Sequence, residues 1–521
     1  MFVCEFRSQH YISSTNFISR LYRRQPDLTL VFVEPTSSSR LPTLDMKSVL
    51  QDPGLLRCPT EIHCMIFQSL STEDFYSLFW TCKTFNRSAE PLMYSEIQLN
   101  WRKHSRPPRI VSLIKNLLSR PHLAICVTGL TLGRSGGESM RSIATIRDIR
   151  LTVDETDLEQ LIEVIKTFDI DYRDIWISEL RNRNMDAFVA ILLCILPNLT
   201  YFQLNPNFML GSEVVGLILR STVSQDGNCG IASFQRLQHV TFKLTTIGRF
   251  RRGNLNPEDI LPFFSFPNIV CLSAAIDTPT DYGRWSLNPS PVASTVTILD
   301  LDMVKTGMLY HILSVTTRLK ILRWRWHHYG NSGTTIRYDV IMSALSLVRR
   351  TLTDLTISAE NEVVDAHSSW IEVVGSLGLL VHFKFLKRYE INLEFLLGSV
   401  SSPCHRLRYY PRFGQILQFE RIVPKNIEVL TLTDDKELEW QNCVNYHVVF
   451  MAIQSWLGGW RTSTPHLQII RLLLMYDYQE FDSTPTRDVH KLDRTMRLHF
   501  DRLSAKAGVG IEVRRIHRTD L

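Results

Sequence analysis

The sequence predicts a mixed α/β chain. A short helical segment is followed by an irregular solenoid whose parallel sheet lines a concave face. Three observations predict this. Residues 58–99 carry three successive apolar faces at helical spacing. Beyond them one strand formula, apolar-x-x-apolar-x-apolar, keeps returning. Between its copies lie helical stretches, for example 186–196, 340–348 and 447–456.

At 521 residues the chain is too long for one compact core, and length alone suggests roughly three or four domains. A repeat array escapes that limit, because each unit packs only on its neighbours. A net charge of +6 is mild for this size and gives no reason to expect nucleic acid. The ten cysteines include no Cys-x-x-Cys pair and no zinc spacing, so no metal or cofactor is expected. Scattered cysteines fit a reduced, intracellular setting, cytoplasmic or nuclear. The longest apolar run, 188–196, is too short to span a bilayer and ends at Pro197, so no membrane partner is expected. The N-terminus lacks the continuous apolar core of a secretory signal.

Residues 1–50 mix Ser, Arg and aromatics and reach Ser37-Ser38-Ser39 without clear periodicity. They read as a disordered leader. A mitochondrial presequence is the rival reading, and Glu5 argues against it. Pro59 then opens a helix, since its missing N–H would have no partner there. Ile62, Ile66 and Leu70 form one face of that helix, with Met65 and Phe67 beside them. Ser71 and Asp74, three apart, make an approximate capping box for a second helix carrying Phe75, Leu78, Phe79 and Cys82. A third short helix carries Phe85, Ala89 and Leu92, and Pro91 stands where it is expected to stop. About forty residues cannot bury three apolar faces alone, so some of this surface must meet something else.

The same stretch resembles an F-box of the kind abundant in fungal proteins. The resemblance rests on Pro59, Glu61 and Ile62; Ile66 and Phe67; Leu70; Glu73 and Asp74; Thr81, Cys82, Lys83 and Phe85; and Glu90, Pro91, Leu92 and Tyr94. Cys58 departs from the family's leading Leu, and Phe75 stands where Leu is commoner. The segment covers under a tenth of the chain. It gives a layout of leader (1–50), F-box (51–99), connecting segment with a first helix (100–125) and repeat region (126–521).

In the connecting segment, basic residues and Pro107-Pro108 lead into a helix at Ile110–Ser119. The strand formula is then anchored at Leu199, Leu237, Ile269, Val296, Leu319, Leu352, Ile427 and Leu467. The widest interval, from Leu352 to Ile427, hides one further unit near 383–397. Spacing this irregular resembles a degenerate leucine-rich repeat. A doubly wound α/β domain is the rival, but so many successive units with one formula fit poorly in a single open sheet.

Catalytic constellations are sparse. Gly508-Val509-Gly510 stands before a strand rather than after one, so it does not cradle a dinucleotide. Neither a P-loop nor a Gly-x-Ser-x-Gly elbow occurs. His327-His328 read as a strand end, and Arg249-Phe250-Arg251-Arg252 as a solvated loop with a phosphate-contact alternative. Asp300 and Asp302 share one strand face.

The repeats offer a better surface. Residues flanking the second apolar position project outward, which places Tyr201, His239, Arg323, Arg325 and Arg471 on the concave face as candidate target contacts. Asp354 and Thr356 are expected beside the arginines, with one arginine tied up in an exposed pair worth at most about 1 kcal/mol. The resemblance implies a substrate-recognition adaptor of an SCF-type cullin-RING ubiquitin ligase, not itself an enzyme. Pro59, Ile62, Ile66, Phe67, Leu70, Leu78 and Cys82 would bind the SCF linker subunit, and through it a cullin. The repeats would hold an unknown target protein. The alternative is an F-box scaffold that binds the linker subunit without a cullin.

Overall fold

The computed structural model describes residues 54–100, 109–133, 149–205, 212–224, 231, 234–242, 260–276, 293–329, 334–362, 371–393, 396, 418–434, 446–475 and 494–516. The chain divides into two compact units, Met1–Cys58 and Pro59–Leu521. Of the first, only 54–58 are described, with a 3-10 turn at Gly54–Arg57. The expected leader otherwise lies outside the described residues, as does the 249–252 loop.

The second unit opens with three helices, α1 (Thr60–Ser69), α2 (Thr72–Phe79) and α3 (Lys83–Ser95). Pro59 precedes the first turn of α1. The Ser71 hydroxyl accepts the Asp74 N–H (3.2 Å) and donates to the Asp74 carboxylate (2.6 Å), so α2 starts where the sequence places it. Cys82 caps α3, its sulfur accepting the Phe85 N–H at 3.5 Å. The expected stop at Pro91 does not occur, and α3 runs through it to Ser95. The carbonyl that Pro91 leaves without a donor belongs to Arg87, an exposed residue, so water can satisfy it. Phe67 meets Phe75 and Phe85 edge-to-face at 6.0 and 5.8 Å, and His63 meets Phe85 likewise.

Strand β1 (Glu96–Leu99) follows α3 directly. Helices α4 (Ile110–Ser119) and α5 (Pro121–Cys126) lead to β2 (Gly129–Leu132). A long connection then holds α6 (Glu155–Lys166), α7 (Arg173–Arg181) and α8 (Met185–Cys194) before β3 (Tyr201–Leu204). Next come α9 (Glu213–Ser224), β4 (His239–Phe242), β5 (Cys271–Ala275), β6 (Ile298–Asp302) and α10 (Thr306–Val315). Strands β7 (Ile321–Tyr329) and β8 (Thr334–Arg337) precede α11 (Tyr338–Ser346), β9 (Asp354–Glu362) and β10 (Ile371–Val374). The chain closes with β11 (Arg388–Asn392), β12 (Val429–Asp434), α12 (Tyr446–Leu457), α13 (Trp460–Ser463), β13 (Ile469–Met475), α14 (Arg494–Ala507) and β14 (Gly510–Ile516). Strand β11 fills the wide interval where a further unit is expected.

Twelve of these strands form one open parallel sheet in chain order, and β8 and β10 pair in a separate two-stranded sheet. The order never reverses, whereas a doubly wound sheet has a switch point. Register is kept from strand to strand. Leu272, Leu299, Leu322 and Leu355 align in one buried row, and Ser273, Asp300, Arg323 and Thr356 in the next row on the opposite face. The buried rows join the helices from α4 onward in one hydrophobic core, which does not include the buried Phe67, Phe79, Phe85 and Ala89 of α1–α3. Inside it, the Trp324 and Trp176 indoles donate to the Val304 and Ala187 carbonyls, both at 2.9 Å, which satisfies their only donors.

The strands are handed on at their entrances. The Thr297 carbonyl accepts the N–H groups of both Lys320 and Ile321, at 2.8 and 3.0 Å. The Lys320 carbonyl then accepts Thr353 and Asp354, and the Thr353 carbonyl accepts Lys387 and Arg388. Side chains reinforce this where Thr occupies the position, as when Thr353 Oγ1 donates to the Lys320 carbonyl at 3.1 Å. Connections between strands vary widely. In the longest described one, all ten residues of α8 are buried, and the buried Asp186 carboxylate accepts the Val214 and Val215 N–H groups at the start of α9.

Candidate functional site

Two surfaces carry the residues singled out in the sequence. The first is formed by α1–α3. Ile62 and Met65, three apart on α1, are 40% and 67% exposed, and Trp80 just after α2 is 76% exposed. Tyr76 is exposed four residues before Trp80. Pro59 is exposed as well, while Ile66, Leu70, Leu78 and Cys82 are half-buried. Phe67 points inward and is nearly wholly buried in the aromatic cluster, so it holds the helices together rather than facing a partner. Sequence reasoning set Met65 beside the α1 face and left out Tyr76 and Trp80. Their spacing of four, off the stripe of Phe75 and Phe79, is the signal that marks them. The segment is tied to the sheet unit: Arg120 pairs with Glu90 at 2.5 Å, and Asn116 donates to the Tyr94 hydroxyl.

The second surface is the sheet face away from the core. Tyr201 and His239 are direct neighbours there, with Cys271 next in the row. Arg323 and Arg325 both lie on β7, while Arg471 lies on β13, with β9, β11 and β12 between. At about 5 Å per strand, the five candidates therefore spread along the face instead of converging on one point.

Charges on this face are largely matched from strand to strand. Arg325 faces Asp302 on β6 at 3.7 Å, with side chains 29% and 3% exposed. Asp354 accepts from Arg388 on β11, and Arg471 pairs with Glu512 on β14 at 3.2 Å. An arginine of β7 is thus tied up as expected, but with the preceding strand, and its partner is buried rather than exposed. Asp354 pairs away from β7. Arg323 is exposed and has no ion pair among the described residues. Of the two aspartates on β6, Asp302 is buried and Asp300 half-buried.

On β3–β5 the side chains of this face, Tyr201, Gln203, His239, Thr241, Cys271 and Ser273, include no carboxylate, lysine or arginine. Burial lowers the proton affinity of the His239 imidazole. Burial, and then the Glu96 carboxylate, raise the Tyr201 phenol, which donates to Gln203. Burial and the nearby Asp300 push the Cys271 thiol up to about 11. Cys271 is therefore a thiol, not a thiolate, at neutral pH and should react slowly with iodoacetamide in the folded protein. Folding holds this proton on, so stability falls as pH climbs from the ordinary thiol value of 9.0 toward 11. His239 acts oppositely, since the unfolded chain takes up its proton first as pH drops below 6.5. Alkylation mapped by mass spectrometry against pH checks the first point. Rapid labelling of Cys271 at neutral pH would contradict it.

Among the described residues no group of three or more His, Cys, Asp or Glu side chains could hold a metal ion, and no helix is long and apolar enough to cross a membrane. The backbone of His327 and His328 ends β7, where a strand end is expected. A scan against models of known protein families finds no match, and no curated protein is significantly similar to the chain.

Proposed function

We propose that the chain is a substrate-recognition subunit of an SCF-type cullin-RING ubiquitin ligase, with α1–α3 as an F-box and the sheet unit as an irregular leucine-rich-repeat solenoid. One observation carries the reading. The residues that match the F-box pattern, from Pro59 to Tyr94, fall on and between three successive helices in the expected order, and Ile62 and Met65 remain uncovered on the first of them. A contiguous apolar surface left open on a small helical unit marks a protein contact. Support for the repeat reading comes from the unreversed strand order, the constant register and the single core on one face.

In this reading the chain performs no bond chemistry. It holds a target near a charged ubiquitin carrier and raises the effective concentration of its lysines. The target would lie on the open face, with the exposed guanidinium of Arg323, which has no ion pair among the described residues, available for a bidentate contact. The test is affinity purification of the tagged full chain followed by identification of bound proteins. Linker subunit and cullin together are expected. Linker subunit without cullin would favour the scaffold reading, and neither would overturn both.

A further inference from the structure

The two ends of the sheet are finished differently. A helix packs beside each end strand, α3 at β1 and α14 at β14, but at the β1 end Ile97 and Leu99 are buried. At the β14 end, Ile511 and Val513 occupy the same two rows but are only half-buried, whereas Ile470 and Leu472 beside them on β13 are wholly buried. Among the described residues no strand pairs with the outer side of β14. The Gly510 N–H donates to the Gln468 carbonyl on the β13 side at 2.8 Å. Backbone groups alternate along a strand, so those of Ile511, Val513 and Arg515 point outward. A stacked array exposes core at an uncovered end, and a free edge is a template for another strand.

The side chains on this edge select the strand it fits. Glu512 and Arg514 lie on the open face, 2.8 Å apart, and are opposite in charge. An antiparallel copy centred on Val513 would bring Glu512 opposite Arg514 twice, once on each side of the two-fold axis. In that register Val513 pairs with itself and Ile511 with Arg515, and these are the residues whose backbone groups point outward. Glu512 and Arg514 then fall at the non-hydrogen-bonded positions, where side chains come closest. A parallel in-register copy would instead set Glu512 against Glu512.

We propose that β14 is a homodimerisation edge, pairing antiparallel with β14 of a second copy to continue the sheet across a two-fold axis. Closed two-fold dimers need such a self-complementary patch. The half-buried Ile511 and Val513 would gain their missing cover in the same step.

Charge reversal tests this without relying on one variant to fold. Glu512→Arg alone sets Arg against Arg across the axis, and Arg514→Glu alone sets Glu against Glu. Mixed together, the two variants restore both opposite-charge pairs. Sedimentation of the full chain at tens of micromolar should show a concentration-dependent dimer for the parent. Self-association should fall about tenfold or more for each variant alone. The mixture should dimerise again, as heterodimers. A parent that stays monomeric, variants that dimerise undiminished, or a mixture that stays monomeric would each overturn the proposal. The first result would mean that the chain covers this edge itself or leaves it to another protein.

Discussion

Ile62→Asp and Ile66→Asp are each expected to abolish capture of the proposed SCF linker subunit while the fold melts near the parent's temperature. Ile62 is exposed and Ile66 half-buried on α1, so a carboxylate at either position disturbs the isolated chain little. In a complex the same carboxylate would sit in a desolvated apolar contact without a counter-charge, at a cost of several kcal/mol. A loss of about 3 kcal/mol is already more than a hundredfold in affinity. Phe67→Ala provides the contrast. Its ring is shared among Phe75, Phe85 and His63, so truncation should cost about 3–5 kcal/mol of stability and lose binding through unfolding. A pulldown read beside circular dichroism melting separates the two routes. Linker capture that survives both aspartate variants would remove the F-box reading.

Arg325→Ala is expected to destabilise the sheet, and Arg323→Ala to leave it within about 0.5 kcal/mol of the parent. The two arginines are two residues apart on one strand face, yet they stand in different company. Arg325 faces the buried Asp302 carboxylate at 3.7 Å, and removing it takes one opposite charge away from that carboxylate. Breaking buried pairs costs about 3–5 kcal/mol, and the partial exposure of Arg325 trims this to about 2–3 kcal/mol. Asp302→Asn in the Arg325→Ala background should recover part of the loss, because the buried carboxylate that faced Arg325 is replaced by a neutral amide. Urea midpoints of the four proteins give the coupling directly. Additive changes would show that the pair contributes nothing. Arg323→Ala should instead show in the profile of captured proteins, making it the cleaner probe of target recognition on this face.

Strand positions were legible wherever the apolar-x-x-apolar-x-apolar formula was intact, because alternate burial on a pleated sheet fixes where apolar residues fall. Thus β3 to β7, β9, β12 and β13 could be placed from the sequence, and the gap filled by β11 could be anticipated. Strand β1 was hidden because it follows α3 without a break, and β2 because the long helical connection after it masks its spacing. Strands β8 and β10 face no repeat partner in the main sheet, so the formula does not mark them. The α1 and α2 starts were legible because Pro59 and the Ser71–Asp74 box are local chemistry. The continuation of α3 through Pro91 was not, since it depends on whether solvent reaches the Arg87 carbonyl. Which side of α1 holds Phe67 was also illegible: its neighbour Phe85 is supplied from α3, beyond any local window. The pairing of Arg325 backward with Asp302, rather than forward with Asp354, required knowing that Arg388 already holds Asp354.

The entrance carbonyls separate what aligns the strands from what joins them. In the main sheet from β3 to β13, each new strand is positioned by two N–H groups bonded to one carbonyl of its predecessor, whatever the chain does in between. A connection can thus shrink to a single helix, as between β6 and β7, or hold three described helices, as between β2 and β3, without moving a row of the sheet. Selection on such a chain acts strongly on a few residues per unit and weakly on the lengths between them. Insertions and deletions would accumulate there almost unopposed. Sequences built this way can drift past detectable kinship while their strands still stack in the old order.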